Sequence, residues 1–200
     1  SVRAMIAAKV RKNNAVSVWC YAPGYITDNG FDIKTSAELT GIKLADSAIP
    51  RKAKLVITAP THAITRYCRD FEVLNVAPIF QVCDSEAKVL GTVEGNPALA
   101  VREFGEWRSV YALMPLTKEL LQGLCDYAGV HVYSRTYDVF SANRSYLMLH
   151  TSSSGEKAIS LPGKFNVKEV FSGRIVGNNI SEFVEPNVPA QETRLYQLWQ

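Results

Sequence analysis

The chain is poor in the features that mark several function classes. It has no run of about 18 apolar residues, the length a helix needs to cross a bilayer, so no membrane association is expected. Its four cysteines, Cys20, Cys68, Cys83 and Cys125, lie far apart and form no Cys-x-x-Cys pair. No zinc ribbon is therefore expected, and nothing calls for a disulfide framework. The three histidines, His62, His131 and His150, lack ligand spacing, and no metal or other cofactor is expected. Charge of one sign is also missing: 22 Lys and Arg stand against 19 Asp and Glu, a net charge of +3 without a basic run. That balance argues against a nucleic-acid partner. Low-complexity segments and internal repeats are absent.

The composition is otherwise that of an ordinary globular chain, 200 residues with 47% apolar and 20% charged. A chain of this length buries roughly 70% of its unfolded surface and makes one domain, or one domain plus a small appendage. It opens at Ser1 on a stretch whose apolar residues Val2, Met5, Ile6 and Val10 share one helix face, with Lys9, Arg11 and Lys12 at the end that suits the dipole. Asn13-Asn14 stops this helix. A strand of β-branched and aromatic residues comes next over 15–21, broken by Pro23-Gly24. Helix, tight turn and strand form the second half of a βαβ unit whose first strand is not in the sequence, so the chain is expected to be a piece of a longer protein.

Further on, Asn29-Gly30 predicts a turn. Thr35 as N-cap with Glu38 at the capping-box position predicts a short helix ending at Gly41. Strands are expected over 54–58, 77–83, 87–93, 97–104 and 107–113, the last two joined by a two-residue turn at Gly105-Glu106. The segment 117–128 is the clearest amphipathic helix, with residues 120, 121, 124, 125 and 128 on one face and Gly129 as its cap. From about 130 the period changes from 3.6 to 2, and short strands separated by Gly, Pro, Asn and Ser predict a small antiparallel sheet or sandwich.

Several segments in order carry a resemblance to one family: Val18-Trp19-Cys20-Tyr21-Ala22-Pro23-Gly24-Tyr25, Pro97-Ala98-Leu99-Ala100-Val101, Trp107-Arg108-Ser109-Val110-Tyr111 and Ala128-Gly129-Val130-His131. With Asp138-Val139-Phe140-Ser141 and the segment 155–162 they resemble the β-galactosidase trimerisation domain of family-42 glycoside hydrolases. The resemblance implies a flavodoxin-like, class I glutamine-amidotransferase-like α/β fold with a mostly parallel sheet, incomplete at the N-terminus, over 1–142. It implies a small C-terminal β module over 143–200. In such proteins these modules follow a catalytic (β/α)8 barrel of bacterial origin, and the glycosidase carboxylates come from that barrel.

Candidate functional residues are few. Tyr21, Pro23, Gly24 and Tyr25 fall at the carboxyl end of an expected parallel strand, where open α/β sheets bind ligands. With no convergent charged group nearby, a turn that closes a buried strand is the favoured reading. Cys20 sits inside that strand without a His-x-Glu sequence anywhere, so it reads as a small buried hydrophobe and not as an amidotransferase nucleophile. His62, in Thr61-His62-Ala63, is a candidate for a pocket rim or for packing. Asp84, Glu86, Glu94, Glu103 and Glu106 read as solvated turn carboxylates rather than a glycosidase pair. Asn143-Arg144-Ser145 and Asn179-Ile180-Ser181 fit the glycosylation triplet, and no modification is assigned to them. Among the aromatic residues of the second half, Tyr137 is the first choice for an exposed interface or sugar platform.

No catalytic residue is therefore named. The expected function is a non-catalytic accessory or oligomerisation region of a larger glycoside-hydrolase-like protein, whose partners are the remainder of that protein and further copies of itself. A carbohydrate-binding module is the alternative, and a stand-alone amidotransferase-like hydrolase comes behind it.

Overall fold

The computed structural model describes residues 2–47, 53–73 and 78–200. It divides into two compact units, Ser1–Gly129 and Val130–Gln200.

Unit 1 begins with α1 (Val2–Val10) and β1 (Ala15–Cys20), then the small hairpin β2 (Ile26–Thr27) and β3 (Gly30–Phe31), and α2 (Lys34–Thr40). Strands β4 (Leu44–Ser47), β5 (Ala53–Ile57), β6 (Phe71–Val73) and β7 (Ile79–Val82) come after it. The unit closes with β8 (Lys88–Val93), β9 (Asn96–Glu103), β10 (Trp107–Ala112) and α3 (Lys118–Ala128). The main sheet has the order β1-β10-β9-β8-β5-β6. Only β1·β10 pairs in parallel, from Ala15 opposite Trp107 to Cys20 opposite Ala112; the other pairings are antiparallel.

The expected mostly parallel sheet is thus found at one pair, and the sheet as a whole is mixed. The reason lies in the connections. Glu94-Gly95 and Gly105-Glu106 are two-residue turns, which can join only antiparallel neighbours, and their left-handed residues make the tight reversal: Glu94 at φ 50°, Gly95 at 81° and Gly105 at 78°. Ala77, the first residue of the expected 77–83 strand, lies outside the described residues. The rest of that strand, β7, pairs with β4 and not with β8.

Local sequence accounts for most of the boundaries. Helix α1 ends at Val10, and Asn13 and Asn14, both at positive φ, 60° and 54°, make the turn into β1. Gly41 at φ 73° ends α2, but the expected Thr35 cap is not made. Thr35 lies inside the first turn, where its hydroxyl donates to the Gly24 and Asp32 carbonyls, and Asp32 Oδ1 accepts from Lys34 N at 2.9 Å. The side chain of Thr117 caps α3 by accepting from Leu120 N at 3.2 Å, and Gly129 closes it at φ 69°. Leu120 and Leu124 are buried, each contributing about 1.5–3 kcal/mol of apolar transfer energy. Leu121, expected on the same face, is exposed.

Unit 2 is a five-stranded antiparallel sheet of order β11-β12-β15-β13-β14. Its strands are β11 (Val139–Ala142), β12 (Tyr146–His150), β13 (Gly155–Glu169), β14 (Ile175–Val188) and β15 (Thr193–Trp199). The expected boundary at 142/143 falls between paired strands, since Ala142 lies opposite Leu147; the division is at 129/130. The several short strands expected over 157–184 merge into two long ones. Pro162 and Gly163 read as breakers, yet they sit in a register shift between Ser160 and Phe165, where the ladder tolerates a missing donor. Residues 131–133, expected as a strand, are irregular. Leu147, Leu149, Ile159, Leu161, Val167, Phe183, Tyr196 and Leu198 form the core of this unit. Among the described residues no helix is long and apolar enough to cross a membrane.

Candidate functional site

The chain leaves β1 through a left-handed residue, Tyr21 at φ 62°, held on both sides. Its N–H donates to the Ala112 carbonyl at 2.9 Å, and its carbonyl accepts from the buried Tyr111 hydroxyl at 2.7 Å. The Tyr21 hydroxyl donates to the Pro78 carbonyl at 3.0 Å, and its ring meets the buried Phe80 edge-on at 5.2 Å. Tyr25 also meets Phe80, at 4.8 Å, and stacks on Phe31 at 5.2 Å. Pro23 is half-buried between them. Gly24 sits at φ 74°, a left-handed backbone that strains any side chain, and a Cβ there would press to 3.2 Å from the Thr35 carbonyl oxygen. Residues 21–25 therefore close a strand and anchor it to α2, and both tyrosine rings are committed to packing.

The open space lies beside this loop. A cleft of about 910 Å³ is walled by α1, the β2–β3 hairpin and α2, with Arg3, Arg11, Asp28, Phe31, Asp32 and Glu38 among its lining. Arg11 donates from Nη2 to the Glu38 and Leu39 carbonyls and places its guanidinium 5.1 Å from the Trp107 ring centroid. A cation thus sits at the carboxyl end of α2, where the helix dipole and the orphan carbonyls favour it. Among the described residues, the side chains of Arg3, Asp28 and Glu38 make no ion pair.

Around this cleft the apolar surface is unusually bare. On α1 and the β2–β3 hairpin, two of its three walls, Val2, Met5, Ile26 and Phe31 are 70%, 72%, 74% and 73% exposed, and of these Phe31 lines the cleft itself. Helix α1 buries no residue at all, so the apolar face read from its spacing is turned to solvent. Strand β1 is the edge of its sheet, paired with β10 on one side and, among the described residues, with no strand on the other.

The remaining candidates are scattered. Cys20 ends β1 as an exposed residue, not the buried hydrophobe expected, because β1 is the sheet edge. Partial desolvation still raises its thiol above the ordinary range, the opposite of what a nucleophile needs. His62 packs against Tyr127 at 5.5 Å, and its Nδ1 accepts from Ile64 N at 3.3 Å. Burial and then the nearby Lys88 lower its pKa, against a smaller opposing pull from Glu103. His131 Nε2 bonds the Ser160 carbonyl at 3.1 Å, and His150 Nδ1 bonds Thr193 Oγ1 at 2.9 Å. No group of three His, Cys, Asp or Glu side chains that could hold a metal occurs among the described residues.

Three of the five candidate carboxylates, Asp84, Glu86 and Glu103, have structural partners. Asp84 accepts from Arg102 at 2.8 Å and from Lys43 N at 3.0 Å, and Glu86 binds the other arm of Arg102. Glu103 accepts from the Tyr127 hydroxyl at 2.7 Å. Glu94 and Glu106 occupy the two hairpin turns. Tyr137 is exposed with a left-handed backbone, φ 56°, beside Asp138.

No family model matches the sequence, and no curated protein matches it. Solved structures do. Over 99% of this chain, the β-galactosidase from Bacillus circulans sp. alkalophilus superposes with a TM-score of 0.63 at 16% identity. Gan42B, a GH42 β-galactosidase from G. stearothermophilus, does so over 98% with a TM-score of 0.59 at 16% identity. The chain has the fold of a segment of GH42 β-galactosidases. It spans 30% and 29% of the length of those two proteins. The α-L-fucosidase isoenzyme 2 of Paenibacillus thiaminolyticus shares the fold too, with a TM-score of 0.58 at 11% identity over 98% of this chain and 38% of its own.

The cleft-lining residues Arg3, Arg11, Asp28 and Phe31 are absent from the sequence-derived candidates. Arg11 reads from sequence as complementing its own helix, and only the packing of α1 on α2 shows that it caps the neighbour. Phe31 carried one usable signal, its place directly after the Asn29-Gly30 turn, because a side chain next to a hairpin tip has few neighbours to cover it.

Proposed function

We propose that this chain is a non-catalytic accessory and oligomerisation region of a larger glycoside-hydrolase-like protein, docking through α1, the β2–β3 hairpin and the free edge of β1. The observation that carries this reading is the exposure of Val2 and Met5 on α1 and of Ile26 and Phe31 on the β2–β3 hairpin, with Phe31 also lining the cleft between these elements. Large apolar side chains concentrated in this way mark an interaction surface, and their burial is the driving term for association. Strand β1 adds unpaired backbone groups that a further strand can satisfy, and the ionic lining of the cleft provides polar complementarity at the rim.

The partner is either the (β/α)8 domain of the same protein or a symmetry mate. In this reading unit 1 is the counterpart of the trimerisation-type, amidotransferase-like domain, with the parallel pair β1·β10 as the remnant of a parallel sheet. A stand-alone thiol hydrolase fits poorly, because the Cys20 thiol is raised.

Light scattering across a concentration series tests the proposal, together with binding to the remaining polypeptide encoded in the same reading frame. Self-association or capture of that polypeptide is expected, and Met5→Glu combined with Phe31→Ser should weaken it by about tenfold or more, as loss of two buried anchors requires. A chain that stays monomeric at high concentration and does not bind the remaining polypeptide overturns it.

A further inference from the structure

Unit 2 holds a second open recess, of about 660 Å³, separate from the cleft of unit 1. Trp199, Phe165 and Tyr133 form its walls, and Asn143, Arg144 and Ser145 supply its polar rim. We infer that this recess binds an anionic saccharide, a sugar ring carrying a carboxylate, with the ring laid against Trp199 and the carboxylate held by Arg144.

Three features point there. The first is rigidity. Asn143 Oδ1 accepts from Ser145 N at 2.9 Å and Tyr146 N at 2.8 Å, which fixes the turn, and Leu198 N donates to the Ser145 carbonyl at 2.7 Å, which ties the turn to the strand bearing Trp199. On the other wall, the Tyr133 carbonyl accepts from Ser160 N at 2.8 Å and its ring packs on Phe140 at 5.2 Å. A site whose walls are already ordered loses little entropy on binding.

The second is the chemistry of the rim. Both acceptor bonds of the Asn143 side chain run through Oδ1, which leaves its amide NH2 as a donor for hydroxyls. Arg144 is exposed and, among the described residues, has no ion-pair or hydrogen-bond partner. No Asp or Glu side chain is in the lining, so one planar guanidinium is the sole side-chain charge there and matches one carboxylate.

The third is Trp199, 38% exposed at the end of β15 while its neighbour Leu198 points into the core. A flat indole beside hydrogen-bond donors suits a pyranose ring, which has one apolar C–H face and hydroxyls around its edge. A single cation is a poor match for the several charges of a nucleoside polyphosphate.

The ligand class, a saccharide, rests on the glycoside-hydrolase-like reading under Proposed function; the charge and the place rest on the recess alone. The test is an NMR titration of the whole chain with a digalacturonate and, in parallel, with lactose, following the indole N–H of Trp199 as assigned by Trp199→Phe. Digalacturonate is expected to shift that resonance, with affinity about tenfold above that of lactose, the worth of one charge-assisted fork. Arg144→Gln, at an exposed position, should abolish that difference, bringing digalacturonate down to the affinity of lactose. No shift with either sugar, equal affinity for both, or tighter binding of adenosine monophosphate than of digalacturonate overturns the inference. The oligomeric state, measured separately, is untouched by any of these results, so failure here is distinguishable from failure of the assembly reading.

Discussion

Lys157 and Asp138 meet at 2.9 Å with their side chains 2% and 0% exposed, an ion pair almost wholly withdrawn from water. The carboxylate also accepts from Thr136 Oγ1 at 2.6 Å and from Ser152 N at 2.8 Å. Burial by itself would raise the Asp138 pKa. The bonds from Thr136, Lys157 and Ser152 outweigh it and hold the group at about 2, below its ordinary 3.8. Desolvating two charges this deeply stabilises only when the remaining lone pairs are satisfied, as they are here.

A depressed carboxylate pKa stabilises the fold above the unfolded value and loses that contribution as pH falls toward the folded one. Unit 2 is expected to keep full stability down to about pH 4 and to lose about 2 kcal/mol between pH 4 and pH 2. Hydrogen exchange of β12 and β13 amides across that range measures it. Asp138→Asn leaves Lys157 buried without a counter-charge and should cost about 3–5 kcal/mol at pH 7 while flattening the acid limb.

Gly123 lets α3 lie directly against the backbone of residues 63–64. A Cβ at this position would lie 2.0 Å from the Ile64 carbonyl oxygen and 2.9 Å from that of Ala63, both backbone atoms that cannot swing aside. Helix propensity alone predicts that Gly123→Ala stabilises an interior helix position by about 1 kcal/mol. Overpacking predicts the reverse, a loss of about 1–3 kcal/mol, because helix and loop must separate. Urea denaturation decides by sign, and a stabilised variant would show that the loop yields freely.

Arg11 is the polar tether of α1, through the α2 carbonyls and the Trp107 face. Since α1 buries none of its residues, little else holds it. Arg11→Ala should release the helix locally, with exchange protection across residues 2–10 falling by about tenfold and that of β8–β10 unchanged. Loss of protection throughout the sheet would mean that α1 is integral to the core.

How much of this was legible in the sequence depended on the range of the interaction that decides each feature. Helix α3 could be read because Thr117, its apolar face and Gly129 lie within one turn of what they control. The Gly105-Glu106 hairpin was equally local. The long strand β13 was hidden, since Pro162 stops most strands and is tolerated here only by a register shift against a partner some twenty residues away. Tyr21 and Tyr25 looked available for ligand because the ring that occupies them, Phe80, is more than fifty residues distant. The cleft was invisible for the same reason: Arg3, Phe31 and Glu38 meet only after α1 and α2 have packed.

Thiol reactivity separates the packing and nucleophile readings of the cysteines. Burial, with a smaller push from Glu119, raises Cys68 to about 11, and desolvation raises Cys20 as well. The thiolate is the attacking species, so at pH 7 Cys68 is ionised to about one part in ten thousand, against a few per cent for a free thiol. Iodoacetamide at pH 7 followed by peptide mass mapping should therefore modify the exposed Cys83 well before the half-buried Cys68, with Cys20, exposed but raised by desolvation, between them. The rate at Cys20 should keep rising with pH above neutrality, as expected for a thiol whose pKa is raised. A Cys20 that reacts faster than Cys83 at pH 6 would have the lowered pKa of an activated nucleophile, and the hydrolase reading would then have to be reopened.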